Sequence, residues 1–60
     1  MPIVQIEIMK RSVEQKRAMV AEVTDAICRT AGCSKEAVSI IIRDMARENY
    51  ANAGKLDLDR

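Results

Sequence analysis

Sixty residues make a single domain, 1–60, and a chain this short buries only about 60 % of its unfolded surface, which leaves it marginal alone. Ten Lys and Arg against nine Asp and Glu give a formal charge of +1, no electrostatic case for nucleic acid; one Tyr with no Phe or Trp removes the platforms on which bases stack. No apolar run approaches the ~20 residues of a membrane span. With no His, and with Cys28 and Cys33 outside zinc-ligand spacing, no metal is expected. The first residues read as a strand rather than a basic region and a long apolar core, so the expectation is a cytoplasmic protein with reduced thiols and no signal peptide. Small folds usually rely on disulfides, a metal or oligomerisation. With the first two set aside, a homo-oligomer is expected.

In chain order, Ile3 to Met9 alternates as a strand: Val4, Ile6 and Ile8 on one face, Ile3, Gln5, Glu7 and Met9 on the other. Ser12 has the features of a helix N-cap, with Gln15 completing a capping box and Glu14 in the favourable first turn. From Val13 to about Ala31 the apolar positions Met19, Val20, Val23, Ala26, Ile27 and Ala31 form one stripe, and Gly32 is placed to end the helix in a left-handed turn. Ser34 to Ala37 reads as a cap and one short turn. Val38 to Met45 is the second strand, and its run Ile40-Ile41-Ile42 suits burial on both faces. Strand, helix and strand make a βαβ unit, an α/β (α+β) fold with parallel strands and a right-handed crossover. One helix covers one face of such a sheet, so a neighbouring subunit is expected on the other. Ala53-Gly54 suits a tight hairpin, and Leu56 to Leu58 a short return strand or one-turn helix.

Proline directly follows Met1. Removal of Met1 is expected, since a small second residue such as Pro normally permits it. Pro2 then carries a free secondary amine, rigid because the ring fixes its backbone angle and mounted on a strand. A proton-abstracting base must be neutral near pH 7 and held over the reacting carbons. An ordinary α-amino group titrates near roughly 7.7–8.0, and an apolar pocket and nearby cations both lower that value.

The start Met1-Pro2-Ile3-Val4-Gln5-Ile6, the stretch Arg11-Ser12-x-Glu14-Gln15-Lys16, then Ile41-Ile42-x-Asp44-Met45 and Tyr50-x-x-Ala53-Gly54, together resemble the 4-oxalocrotonate tautomerase (2-hydroxymuconate tautomerase) family over essentially the whole chain. The resemblance implies a βαβ subunit with a short C-terminal hairpin, assembled through intersubunit sheets as a hexamer, usually a trimer of dimers. It implies a cofactor-independent isomerase that interconverts enol and keto forms of 2-hydroxydienoates and 2-oxo acids such as 2-hydroxymuconate, in aromatic degradation. Pro2 matches the general base that then acts as acid. Arg11 matches the arginine that binds a substrate carboxylate and stabilises charge on the 2-oxo group. Tyr50 matches an aromatic position, usually Phe, that walls the site; Ile3 and Met9 are further candidates for an apolar wall. Were Pro2 to Arg11 mostly extended, nine steps at ~3.3 Å would place them roughly 30 Å apart, so the two must come from different subunits to act on one substrate.

Two departures stand out. Well-studied members have a second arginine where this chain has Ser39, and a glycine between the positions matching Lys10 and Arg11. Ser39 is thus a weak candidate for substrate contact, and Arg43, on the same strand face about 13 Å further along, a weak substitute. The sequence also admits two alternatives: hydration or dehalogenation of unsaturated acids on the same fold, and a non-catalytic oligomeric interaction module should Met1 be retained.

Overall fold

The computed structural model describes all residues, 1–60, in the order β1 (Ile3–Met9), α1 (Val13–Ala31), β2 (Ser39–Met45), β3 (Ala51–Asn52) and β4 (Lys55–Leu56), with single 3-10 turns at Lys35–Ala37, Arg47–Asn49 and Asp57–Asp59. β1 and β2 pair in parallel, in register from Ile3 opposite Ser39 to Met9 opposite Met45. β3 and β4 form a separate antiparallel ladder of two residue pairs.

Local chemistry accounts for the element ends. At the start of α1 the Gln15 backbone N–H donates to Ser12 Oγ (3.1 Å), and the Ser12 N–H donates to Gln15 Oε1 (3.0 Å), the reciprocal capping box. At its end Gly32 takes φ 70° and its N–H donates to the Cys28 carbonyl at 3.1 Å, a left-handed stop that a Cβ would oppose. Ala31 closes the helix but is exposed, so the apolar stripe ends at Ile27 and Cys28. Val38 is extended, but its N–H closes the 3-10 turn on the Lys35 carbonyl, and β2 accordingly begins at Ser39 rather than at Val38. Ala53 (φ 54°) and Gly54 (φ 79°) both lie in the left-handed region, as a two-residue hairpin turn that matches strand twist requires.

The alternation of β1 is preserved: Val4, Ile6 and Ile8 are half-buried, as are Met19, Val20, Val23, Ala26 and Ile27 of α1 and Ile40 and Ile42 of β2. Within one chain β2 is not covered on both faces, because Ile41 is 43 % exposed and Ile3, on the same outer face, 61 %. Lys16 on the first turn of α1 reaches Asp44 at 2.8 Å and ties the helix to the far end of β2. Arg43 pairs with Glu7 directly across the ladder at 3.8 Å. The sequence suggests a helix acid or the Asp44 of another chain for that role, but the parallel register makes Glu7 the nearest carboxylate.

No residue is fully buried. A compact monomer of 6.7 kDa has an accessible surface of about 3,900 Å². This chain has 4712 Å², about 800 Å² more. Its radius of gyration is 14.6 Å where a compact 60-residue domain has about 10 Å. The half-buried stripe between helix and sheet is a core open on its outer side.

Partial burial pushes the Cys28 thiol above its ordinary value of 9.0, and a hydrogen bond and charge interaction with Cys33, with smaller contributions from Asp25 and Glu36, push the same way. Cys28 is therefore a neutral thiol at pH 7. Iodoacetamide at pH 8 is expected to modify it more slowly than a free cysteine peptide, with the rate by mass spectrometry still climbing as pH passes 9, where the peptide's rate levels off. Replacing Ser12 with Ala should remove the capping box and lower unfolding free energy by about 1 kcal/mol in urea titration.

Candidate active site

Pro2 sits one residue before β1, and the Ser39 N–H donates to its carbonyl at 3.0 Å. This bond is the first rung between the start of β1 and the start of β2. Pro2 loses no ladder donor, since the proline nitrogen has none to give. The nitrogen in question is an amide to Met1 in the full chain, and Met1 is 90 % exposed, open to removal. Ser39, a weak candidate from sequence, is thereby the residue that fixes Pro2 through its backbone, while its side chain lies on the exposed outer face.

Arg11 lies past the opposite end of β1. Its Nη1 donates to the Met9 carbonyl (3.0 Å) and to the Lys10 carbonyl (3.1 Å), folding the guanidinium back over the end of the strand. β1 alone, six steps at ~3.3 Å, holds Pro2 and Arg11 at least roughly 20 Å apart. The chain does not bring its two main candidates together.

Tyr50 follows the Arg47–Asn49 turn and is 40 % exposed. A contact that sequence reasoning missed holds it. The Tyr50 carbonyl accepts from the Asp57 N–H at 2.8 Å, while Arg47 Nε donates to Asp57 Oδ2 (3.0 Å) and Arg47 Nη2 to the Asp57 carbonyl (2.8 Å). Arg47 and Asp57 are ten residues apart, and nothing in their local pattern signals the pairing. Only closure of the β3–β4 turn brings them side by side. Ile3 is exposed and Met9 half-buried, at opposite ends of one strand face, so they serve as walls of one site no more than Pro2 and Arg11 do within one chain. Arg43 is held across the ladder by Glu7, away from Ser39. The isolated chain encloses no pocket.

The model of the tautomerase enzyme family matches residues 2–58. The chain belongs to the tautomerase family. It is 44 % identical over 55 residues to a probable tautomerase of Staphylococcus saprophyticus, covering 90 % of each chain. Among solved structures it resembles YwhB, a homologue of 4-oxalocrotonate tautomerase, with TM-score 0.93, 38 % identity and 98 % of each chain covered. A structure of 4-oxalocrotonate tautomerase isozymes from Methylibium petroleiphilum gives TM-score 0.92 at 36 % identity, over 97 % of this chain and 92 % of that one. The α+β fold, one helix on a parallel β1–β2 pair with a short antiparallel hairpin, is the fold of these tautomerases, and the protein is an isomerase of the tautomerase class.

If the Arg47–Asp57 pair holds the Tyr50 segment, Arg47→Ala should speed amide hydrogen exchange at Asp57 by more than about tenfold while leaving β1 and β2 amides unchanged. Equal exchange in both proteins would show that the turn holds itself.

Proposed function

We propose that this tautomerase interconverts enol and keto forms of 2-hydroxydienoates and related 2-oxo acids, 2-hydroxymuconate among them, by proton transfer through the amine of Pro2 once Met1 is removed. The observation that carries the reading is the placement of Pro2 at the head of a rigid strand, in a chain that belongs to the tautomerase family over residues 2–58. The neutral amine takes the enol proton, and its conjugate acid returns a proton to carbon. Arg11, always protonated, binds the carboxylate and 2-oxo end and stabilises the dienolate as negative charge develops. Tyr50, with Ile3 and Met9, shields the site from water, and that shielding favours the uncharged amine. The reaction moves only protons, so these residues suffice without a cofactor.

The separation along β1 gives the mechanism its quaternary requirement. Pro2 of one subunit meets Arg11 of another. A homo-oligomer also hides the apolar outer face that one chain leaves open. A hexamer of three dimers is the assembly we favour, and no helix of this chain is long and apolar enough to cross a membrane, in keeping with a cytoplasmic enzyme. Glu7, the acid that a water-adding variant of this chemistry would call on, is paired with Arg43, which favours tautomerisation over hydration or dehalogenation.

Pro2→Ala should lower kcat for ketonisation at least about a hundredfold, the contribution of a positioned proton carrier, with little change in KM; protein retaining Met1 should be equally inactive. Unchanged turnover in Pro2→Ala would remove the mechanism. Pro2→Ala and Arg11→Ala subunits, each inactive alone, should regain activity when unfolded together and reassembled, because some sites in the mixture then contain both residues. No recovery in assembled mixtures would place both groups in one chain.

A further inference from the structure

We propose that Cys28 and Cys33 form a reversible disulfide site that, when oxidised, fastens the end of α1 to the link leading into β2. Both are free thiols, both are half-buried, and neither takes part in the chemistry proposed at Pro2. The stop of α1 brings them together. The Gly32 N–H donates to the Cys28 carbonyl at 3.1 Å, and Gly32 holds φ 70° and ψ 43°. This left-handed turn reverses the chain at once, so the next residue, Cys33, returns over the last turn of the helix toward Cys28. In caps of this kind the two positions frequently carry apolar side chains that touch. Here they carry two thiols, joined by a side-chain hydrogen bond. A disulfide needs sulfurs ~2.05 Å apart on Cβ atoms about 3.5–4.5 Å apart, and thiols already in hydrogen-bond contact approach that arrangement by side-chain rotation with the cap left in place.

The oxidant is a small-molecule disulfide, with glutathione disulfide as the probe. Cys28 keeps its proton at pH 7, so the thiolate of Cys33 is the attacking sulfur. Its attack breaks the glutathione S–S bond, forms a mixed disulfide on Cys33 and releases one glutathione thiolate. Cys28 then gives up its proton and attacks the Cys33 sulfur, which forms the intrachain bond and releases the second glutathione. The two protein thiols lose two electrons and two protons, and one glutathione disulfide gains them as two glutathione thiols. An excess of reduced glutathione runs the same steps backward. The bridge closes the 28–33 turn that the folded chain already holds, and whatever factor folding adds to the bond the bond returns to the fold.

The test equilibrates the full-length protein with mixtures of reduced and oxidised glutathione, natively and in urea, and reads acid-quenched samples by intact mass. The native product is expected to be a single chain lacking two hydrogens, with an equilibrium constant at least about tenfold above that in urea. Equal constants in the two states would overturn the proposal, because the fold would then do nothing to pair the thiols. So would native protein that stays reduced, or that yields only covalent dimers or glutathione adducts. None of these outcomes requires a variant to fold or bears on the Pro2 reading. Cys28→Ser should stop at the Cys33 adduct of glutathione, and Cys33→Ser should form its adduct about tenfold more slowly, since Cys28 is the protonated, half-buried sulfur. The opposite order of rates would overturn the roles given to the two sulfurs.

Discussion

Sixty residues cannot hide their own apolar surface in this topology. A two-stranded sheet has two faces and the chain supplies one long helix, so Val4, Ile6, Ile8, Ile40 and Ile42 find cover while Ile3 and Ile41 do not. The excess of about 800 Å² over a compact monomer reflects this open face together with the exposed C-terminal residues. At ~25 cal/mol per Å², each 100 Å² of apolar outer face that a second subunit covered would contribute about 2.5 kcal/mol before the costs of association.

The same geometry divides the chemistry. A strand is a rod with a rise of ~3.3 Å per residue, and Pro2 and Arg11 stand at its two ends. Neither can bend toward the other without breaking the ladder to β2. Each end is instead finished locally, Pro2 by the Ser39 N–H and Arg11 by folding onto the Met9 and Lys10 carbonyls. These ties hold both groups at the ends of one rigid mount, and under the proposed mechanism a second subunit would bring the complementary end into place. The ion pairs play a lesser energetic part. Those of Arg43 with Glu7 and Lys16 with Asp44 are largely exposed, worth at most about 1 kcal/mol each, and act mainly to direct side chains.

The sequence by itself determined the elements, because they are encoded at short range. Period-two alternation defined β1 to the residue, Ser12 and Gln15 defined the start of α1, Gly32 its end, and Ala53-Gly54 the hairpin. Pro2 after Met1 was legible there as a candidate only, its role a proposal. Only the tertiary structure decided the pairings between distant residues. Parallel register gave Arg43 to Glu7 and Asp44 to Lys16, and closure of the hairpin set Asp57 against Arg47 and Tyr50. It also decided that β2 starts at Ser39, with the Val38 N–H spent on the preceding turn, and that Ser39 holds Pro2. Apart from the Val38 turn, these contacts join residues far apart in the chain, and their partners are chosen by which groups the fold brings within 4 Å, a quantity that no local pattern contains.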